Sequence, residues 1–222
     1  MTHQDAFPIQ RQRMINHLLK PHKICDPRVL QAMAEVPRHE FLSARQADLA
    51  YAEQKHAIGY GQMMASPLMI AQMLQMLHFT GTENILEVGT GSGYVTALLM
   101  QLGAYVFSLE RILPLAEDAA SRWQDLRIHN VDLHIGDGSQ GLPDMAAFDV
   151  ILLTASVPRI PRPLALQLNP HSGRMIVPIE VNHQQKLKLV RRRGQKWYVR
   201  TMGESHFLPL IGRFGKKPAA DV

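Results

Sequence analysis

The chain has 222 residues, a formal net charge of +5 and a single cysteine, Cys25. This length is enough for one domain with a sizeable hydrophobic core, and one cysteine excludes an intrachain disulfide. No apolar run approaches the roughly 20 residues of a membrane helix, and the opening residues lack the pattern of a secretory leader. We therefore expect a cytoplasmic protein without a membrane span.

The first 60 residues predict helices. From residue 11 to residue 19 the apolar side chains follow helical spacing. A second helix is predicted after Asp26, which fits the N-cap position with Pro27 in the first turn, and Pro37 ends it. We expect residues 1–60 to form a helical annex packed on a larger core.

Residues 58–67 read I-G-Y-G-Q-M-M-A-S-P and predict a shaped loop that leads into a helix. Apolar residues continue at helical intervals through residues 68–77. Ser66 fits the N-cap of this helix, with Pro67 in its first turn.

The central motif is a strand followed by three glycines at alternate positions, I-L-E-V-G-T-G-S-G over residues 85–93. Glycines lack a Cβ atom, so the backbone can turn tightly and bring its N–H groups close to a polar ligand. The spacing is not the G-x-G-x-x-G of dinucleotide enzymes, and Glu87 favours a cation or hydroxyls over a pyrophosphate. The combination resembles motif I of class I S-adenosylmethionine-dependent methyltransferases. The alternative is a turn that is rich in glycine only for packing.

Two further acidic residues follow predicted strands. Glu110 ends a strand over residues 105–109, where a carboxylate in this architecture accepts hydrogen bonds from ribose hydroxyls. The alternative for Glu110 is a surface acid paired with Arg111. Asp137 follows a strand over residues 131–135, where it can accept from an adenine amine or act as a simple turn residue.

The rest of the chain completes an α/β pattern. Residues 148–153 are uniformly apolar, which is typical of a parallel strand buried on both faces. A helix is predicted over residues 158–168, and strands over 186–191 and 196–202 suit an antiparallel addition. We predict a Rossmann-like class I methyltransferase fold with a mostly parallel, doubly wound sheet, a cofactor-binding domain over residues 61–212 and a flexible tail over 213–222.

Basic residues are concentrated in the last two predicted strands. They are Lys186, Lys188, Arg191, Arg192, Arg193, Lys196 and Arg200. We interpret them as the solvated face of a hairpin, with a polyanion site as the alternative, because no aromatic-rich platform accompanies the charge. We accordingly expect no nucleic-acid partner, and we favour a monomer.

Seven motifs, in this order and spacing, resemble the protein-L-isoaspartate (D-aspartate) O-methyltransferase family. They are V-P-R-H-E-F, A-I-G-Y-G-Q with a following S-P, I-L-E-V-G-T-G-S-G-Y, S-L-E-R-I, H-I-G-D-G-S-Q-G, F-D-V-I-L-L-T-A and H-F-L-P-L. The resemblance implies methyl transfer from S-adenosyl-L-methionine, with S-adenosyl-L-homocysteine as product, to the α-carboxylate of L-isoaspartyl residues in peptides and damaged proteins. The ester then closes to a succinimide that can reopen as aspartate, a repair of the protein.

The resemblance also implies the residues of the site. The cofactor would contact Gln62, Met63, Met64, Glu87, Gly89, Gly91, Gly93, Glu110, Arg111, Asp137, Gly138 and Thr154. The peptide would contact Ile58, Gly59, His206 and Leu208, although His206 also fits an ordinary strand residue. We expect no metal and no catalytic base, because a carboxylate acceptor is already ionised at neutral pH.

One loop departs from the family pattern. Where the family has G-Q-T-I-S, this chain places Met63 at the usual threonine and Ala65 at the usual active-site serine. Ser66 lies one residue later and is either a substitute for that serine or an N-cap. Three hypotheses remain: an active isoaspartyl methyltransferase, a relative that methylates another carboxylate or hydroxyl, and a cofactor-binding protein with little turnover.

Overall fold

The N-terminal part of the chain is helical. In the computed structural model, which describes residues 3–217, helix α1 (His3–Arg13) continues into a π-helical segment (Met14–Leu19). Helix α2 (Pro27–Glu35) follows after Asp26. The Asp26 carboxylate accepts the backbone N–H of Arg28 at 2.9 Å, so the predicted cap is confirmed.

A short hairpin connects this helical part to the rest of the molecule. Strand β1 (His56–Gly59) pairs antiparallel with β2 (Gln62–Met64), and helix α3 (Pro67–Gln75) follows. The residues between the two strands, Tyr60 and Gly61, both have positive φ angles. The predicted boundary between residues 60 and 61 therefore falls inside the turn of this hairpin.

A seven-stranded sheet forms the centre of the molecule. Its strands are β3 (Asn84–Val88), β4 (Tyr105–Glu110), β5 (Val131–Ile135), β6 (Val150–Leu153), β7 (Arg174–Val181), β8 (Gln184–Arg193) and β9 (Lys196–Glu204). Their order is β5-β4-β3-β6-β7-β8-β9, parallel as far as β7 and antiparallel for β8 and β9. The predicted Rossmann-like sheet with an antiparallel C-terminal addition is confirmed.

Three helices follow strands of this sheet. They are α4 (Tyr94–Leu102), α5 (Leu113–Asp125) and α6 (Arg162–Leu166). Helix α6 is shorter than the helix predicted over residues 158–168. The residue before a proline is disfavoured in helical geometry, and Pro161 therefore delays the start of the helix to Arg162.

Alternate residues of the central strands pack into two hydrophobic layers. Ile85 contributes to a layer that also contains Phe41 of the helical annex and Leu98 of α4. Leu86 contributes to a layer on the other face, with Leu164 of α6. The annex therefore shares one continuous core with the sheet.

The predicted flexible tail over residues 213–222 begins with residues that make hydrogen bonds to the core. Arg213 donates its backbone N–H to the Asp137 carboxylate at 2.7 Å, and Phe214 donates to the Ser139 hydroxyl at 3.0 Å. Gly212 donates to the carbonyl of Lys216 at 3.1 Å. Residues 213–216 thus make defined hydrogen bonds, and residues 218–222 lie outside the described part of the chain.

Two kinds of feature are absent between residues 3 and 217. No helix there combines the length and the apolar character that a membrane crossing needs. The same residues contain no group of three or more His, Cys, Asp and Glu side chains placed to hold a metal ion.

Candidate active site

A cavity of about 290 Å³ opens at the carboxyl ends of β3, β4 and β6, where open α/β sheets bind ligands. One side, which we call the strand-end wall, consists of residues 89–92, 110–112, Gly138 and Thr154. The other side, which we call the hairpin wall, consists of Lys55, Ile58, residues 62–65, Gln185 and residues 206–211.

The glycine-rich loop of the strand-end wall has a backbone that other residues rarely adopt. Gly89, Gly91 and Gly93 have φ angles of +98°, +55° and +86°. A Cβ atom on Gly89 would collide with the Thr154 hydroxyl, and one on Gly91 would lie 3.1 Å from Ile58 of the hairpin. Glycine is required here because the loop is both left-handed and tightly enclosed.

Glu110 presents a carboxylate to the cavity from the end of β4. Only 7% of the residue is exposed. Its oxygens accept the backbone N–H groups of Gly91 at 2.9 Å, Arg111 at 2.8 Å and Ile112 at 2.9 Å. The alternative of a surface acid paired with the Arg111 side chain is wrong, because Glu110 is buried and fixed by backbone donors.

Glu87 lies beneath the glycine loop and does not line the cavity. One of its oxygens accepts the hydroxyls of Thr96 at 2.5 Å and Ser108 at 2.6 Å. Burial raises the pKa of Glu87 to about 8, although these two hydroxyls oppose the shift. The side chain is therefore largely protonated at neutral pH. The hydroxyls that the sequence predicted near Glu87 are those of Thr96 and Ser108.

A short hydrogen-bond chain connects Glu87 to the loop. The Ser108 hydroxyl, which donates to Glu87, also lies 2.6 Å from the hydroxyl of Thr90. Thr90 stands between the first two glycines and lines the cavity. Glu87 thus supports the loop from the side of α4 instead of touching a ligand.

Asp137 also points away from the cavity, although the adjacent Gly138 lines it. Its carboxylate accepts the N–H and hydroxyl of Ser139 and the N–H of Arg213. Burial alone would raise the pKa of Asp137, but the hydrogen bonds from Arg213 and Ser139 outweigh it and lower the pKa. The turn interpretation, in which Asp137 organises its own loop, describes this geometry.

Most of the predicted site residues meet around the cavity. Those that line it are Ile58, Gln62, Met63, Met64, Ala65, Gly89, Gly91, Glu110, Arg111, Gly138, Thr154, His206 and Leu208. Those that do not are Gly59, Ser66, Glu87, Gly93 and Asp137. Gly93 instead anchors α5, because its carbonyl accepts the indole N–H of Trp123 at 3.0 Å.

A buried arginine fixes the loop that carries Ala65. Arg38 is 0% exposed, and its guanidinium donates to the carbonyls of Ala50 and Ala65, each at 2.7 Å. The same group lies 4.9 Å from the centre of the Tyr94 ring. Burial lowers the pKa of Arg38. The V-P-R-H-E-F motif contained this residue, but its reach to Ala65 was not foreseen.

Ser66 occupies the N-cap position of α3 without capping it. Its hydroxyl donates to the Glu53 carboxylate at 2.7 Å. The other Glu53 oxygen accepts the backbone N–H of Leu68 at 3.0 Å, so Glu53 provides the cap. The predicted capping bond from Ser66 is therefore wrong, and its hydroxyl faces Glu53.

The C-terminal segment of the hairpin wall is held by side chains that sequence reasoning missed. Gln185 binds both the N–H and the carbonyl of Phe207, at 2.7 and 2.8 Å. The backbone carbonyl of Ser156, after β6, also accepts the N–H of Leu210 at 2.7 Å. Lys55 lines the cavity and donates to the carbonyl of His206. No local sequence signal marks Lys55 or Gln185.

Comparison with known proteins gives consistent matches over nearly the whole chain. The family model for protein-L-isoaspartate(D-aspartate) O-methyltransferase matches residues 9–215. The protein-L-isoaspartate O-methyltransferase of Roseiflexus sp. (strain RS-1) is 43% identical over 206 residues, which cover 93% of this chain and 94% of that protein. The enzyme of the same name from Koribacter versatilis is 41% identical, with 96% of each chain covered.

Solved structures agree with the fold. A protein-L-isoaspartate O-methyltransferase structure superposes with a TM-score of 0.83 at 26% identity, covering 92% of this chain and 67% of that one. A Plasmodium falciparum protein described as a putative isoaspartate methyltransferase, in complex with S-adenosyl-L-homocysteine, matches in fold with a TM-score of 0.78 at 22% identity. With the family model and the relatives at about 40% identity, these matches show that the chain belongs to the protein-L-isoaspartate(D-aspartate) O-methyltransferase family.

Proposed function

We propose that this protein methylates the α-carboxylate of L-isoaspartyl residues with S-adenosylmethionine as the methyl donor, and that it does so with its variant loop. The family supplies the reaction, and the donor leaves as S-adenosylhomocysteine. The observation that carries the proposal is the Glu110 carboxylate, buried and aimed into a cavity that is backed by the glycine loop.

The strand-end wall fits the donor. Two backbone N–H groups donate to Oε1 of Glu110 and one donates to Oε2, so Oε2 keeps a lone pair that can accept a ribose hydroxyl. Gly89 and Gly91 let the backbone itself form this wall, because a Cβ atom on Gly89 would collide with the Thr154 hydroxyl and one on Gly91 would lie 3.1 Å from Ile58. S-adenosylmethionine supplies an electrophilic methyl group on a sulfonium. The residues of this chain bind and orient it without a metal ion or a nucleophilic side chain.

The hairpin wall fits an acceptor that needs orientation more than activation. A carboxylate is ionised at neutral pH, so no general base is required. Met63, Met64 and Leu208 supply apolar surface that keeps water from the path between donor and acceptor. His206 lines the same wall and is not needed as a base.

The loss of both loop hydroxyls predicts a slow enzyme. Ala65 lines the cavity with a methyl group, and the neighbouring Ser66 hydroxyl is bound to Glu53. Removal of one orienting hydrogen-bond donor commonly costs on the order of 10² in rate without preventing ligand binding. We therefore expect measurable but weak turnover, with cofactor affinity in the ordinary range.

The decisive experiment compares two peptides that differ only at one residue. The purified protein is incubated with labelled S-adenosylmethionine and either an isoaspartyl peptide or its normal aspartyl counterpart, and methanol released from the ester is counted. We expect release only from the isoaspartyl peptide. Equal counts, or none from either peptide, contradict the proposal.

A calorimetric titration separates the two alternative functions. Tight binding of S-adenosylhomocysteine with no methylation of isoaspartyl peptides or of a cell extract would support a cofactor-binding protein. Methylation of another carboxylate or hydroxyl in the extract would support a relative with a different acceptor.

We also propose the cellular setting and assembly of the protein. Its one cysteine, Cys25, is unpaired, which suits the reducing cytoplasm. The partners are isoaspartyl peptides and proteins, with no nucleic-acid partner. The enzyme acts as a monomer. Its residues 1–60 and 61–212 form one structural unit. Light scattering at assay concentration checks the mass, since a dimer would contradict this assignment.

A further inference from the structure

We propose that Lys55 binds the carboxylate of the acceptor and supplies part of the orientation that the loop hydroxyls would give. The inference rests on the proposed function, because it needs an anionic acceptor. It assigns a substrate-binding role to a residue that no motif of the sequence marks.

The position of Lys55 places its ammonium group on the acceptor side of the cavity. Lys55 immediately precedes β1 and lines the cavity beside Ile58. Its Nζ donates to the carbonyl of His206. The segment that contains His206 crosses the end of β6, where Ser156 donates its backbone N–H to the carbonyl of Leu208.

The order of the strands separates this group from the ribose carboxylate. Glu110 ends β4, which lies on one side of β3, and the segment that Lys55 contacts crosses β6, on the other side of β3. The glycine loop at the end of β3 lies between them. A donor bound to Glu110 would therefore extend toward Lys55.

The charges around the cavity leave this role to Lys55. The charged side chains among its described lining residues are Lys55, Glu110 and Arg111, with His206 as a further titratable group. Arg111 adjoins Glu110 on the strand-end wall, whereas Lys55 is the lysine on the hairpin wall. Around it, Met63, Ala65 and Leu208 offer no charged donor to an anion.

The present partner of Lys55 is compatible with substrate binding. An ammonium has three donors, and the His206 carbonyl uses one of them. A carboxylate is a stronger acceptor than a neutral carbonyl, and the flexible lysine stem allows the group to bind both. The competing interpretation is that Lys55 only ties the hairpin to the C-terminal segment.

Three substitutions distinguish these roles. Lys55→Arg keeps the charge, Lys55→Gln keeps a hydrogen-bond donor without the charge, and Lys55→Met removes both. We expect KM for an isoaspartyl peptide to rise about tenfold in both uncharged variants and to stay within about threefold of wild type in Lys55→Arg. The calorimetric affinity for S-adenosylhomocysteine should not change.

Salt dependence gives an independent readout. Added salt should raise KM for the wild type and for Lys55→Arg, but not for Lys55→Gln, because screening acts on the charge pair. Lys188→Gln, which loses a contact to Thr201 of β9 and does not line the cavity, serves as the matched control and should behave as wild type.

The outcomes also separate this proposal from the proposed function. If Lys55→Gln retains the wild-type KM while Lys55→Met does not, Lys55 is only a structural tie. If all three variants match an active wild type, the Lys55 assignment is wrong and the methyltransferase assignment stands. An inactive wild-type protein would instead overturn the proposed function.

Discussion

The two walls of the cavity are built in different ways. The strand-end wall comes from strands of one sheet, and each of its residues lies at the end of a strand or within a few residues after it. The hairpin wall combines segments that are far apart in the chain, such as Lys55 and His206, which are 151 positions apart. Charged and amide side chains hold these segments together, notably Arg38 on Ala65 and Gln185 on Phe207.

This difference separates two properties of the enzyme. In the proposed function, backbone geometry and one carboxylate bind the donor, so we expect the strand-end wall to tolerate little change. The hairpin wall depends on side-chain contacts, and there Met63 and Ala65 present no hydroxyl to the cavity. Substitutions should therefore affect donor affinity and acceptor use independently.

The largest effect is expected on the strand-end wall. Glu110→Ala should weaken binding of S-adenosylhomocysteine by about 100-fold or more, because it removes the ribose acceptor and leaves three backbone N–H groups without a partner. Calorimetry measures the affinity, and circular dichroism checks that the variant is folded. An unchanged affinity would show that Glu110 does not bind the donor.

The next largest effect is a pH dependence of stability, and it is expected at Glu87, beneath the glycine loop of the strand-end wall. The folded-state pKa of Glu87 is raised to about 8, so its contribution to stability is complete below the unfolded value near 4.5 and is lost as the pH rises through the folded value. Glu87→Gln does not titrate. Between about pH 5 and pH 7, the free energy of unfolding of the wild type should therefore fall by about 2 kcal/mol more than that of Glu87→Gln.

Denaturant titrations at both pH values test this expectation. Parallel pH dependences in wild type and Glu87→Gln would mean that the buried carboxyl ionises normally. The affinity for S-adenosylhomocysteine is a second readout, which should change little because Glu87 does not line the cavity.

On the hairpin wall, restoring a hydroxyl should increase the rate. Ala65→Ser should raise kcat on the isoaspartyl peptide by about tenfold and leave donor affinity unchanged, because the new hydroxyl can orient the acceptor. Ala155→Ser adds the same group elsewhere on the cavity surface and is the matched control. Equal rates for all three proteins would show that a hydroxyl at position 65 is irrelevant in this chain.

The smallest effect is expected at Ser66. Its hydroxyl is bound to Glu53, and Leu68 keeps its own bond to that carboxylate. Ser66→Ala should therefore change kcat by less than about twofold and lower stability by about 1 kcal/mol. A loss of kcat of about tenfold or more would mean that Ser66 turns into the cavity during the reaction.

Sequence reasoning predicted the strand-end wall well because its signals are local. A strand, its glycines and the acid that ends the next strand are each readable within a few residues. Two of the predicted donor contacts, Glu87 and Asp137, do not line the cavity, because the direction of a side chain is not readable from the motif. Glu87 alternates with Leu86 and Val88, and it faces α4, so its hydroxyl partners come from that helix and from β4.

The hairpin wall was less predictable for a physical reason. Arg38 and Lys55 act on residues brought near them only by the complete fold, and neither lies in a pattern of composition or spacing that reveals its partner. The motif order located residues 58–67 and 206–210, but not the side chains that fix them. Ser66 was misread because a cap position does not reveal which group supplies the capping oxygen.

The contact between Asp137 and Arg213 has a practical consequence. The cavity-lining segment 206–211 is anchored at one end by Gln185 and at the other by the turn that contains Asp137 and Ser139. A protein shortened before Arg213 would keep every lining residue but lose the contacts that anchor the C-terminal end of that segment. A purification tag or fusion partner joined directly to Arg213 or Phe214 would disturb the same contacts. A spacer is therefore needed in any version of the protein used for kinetics.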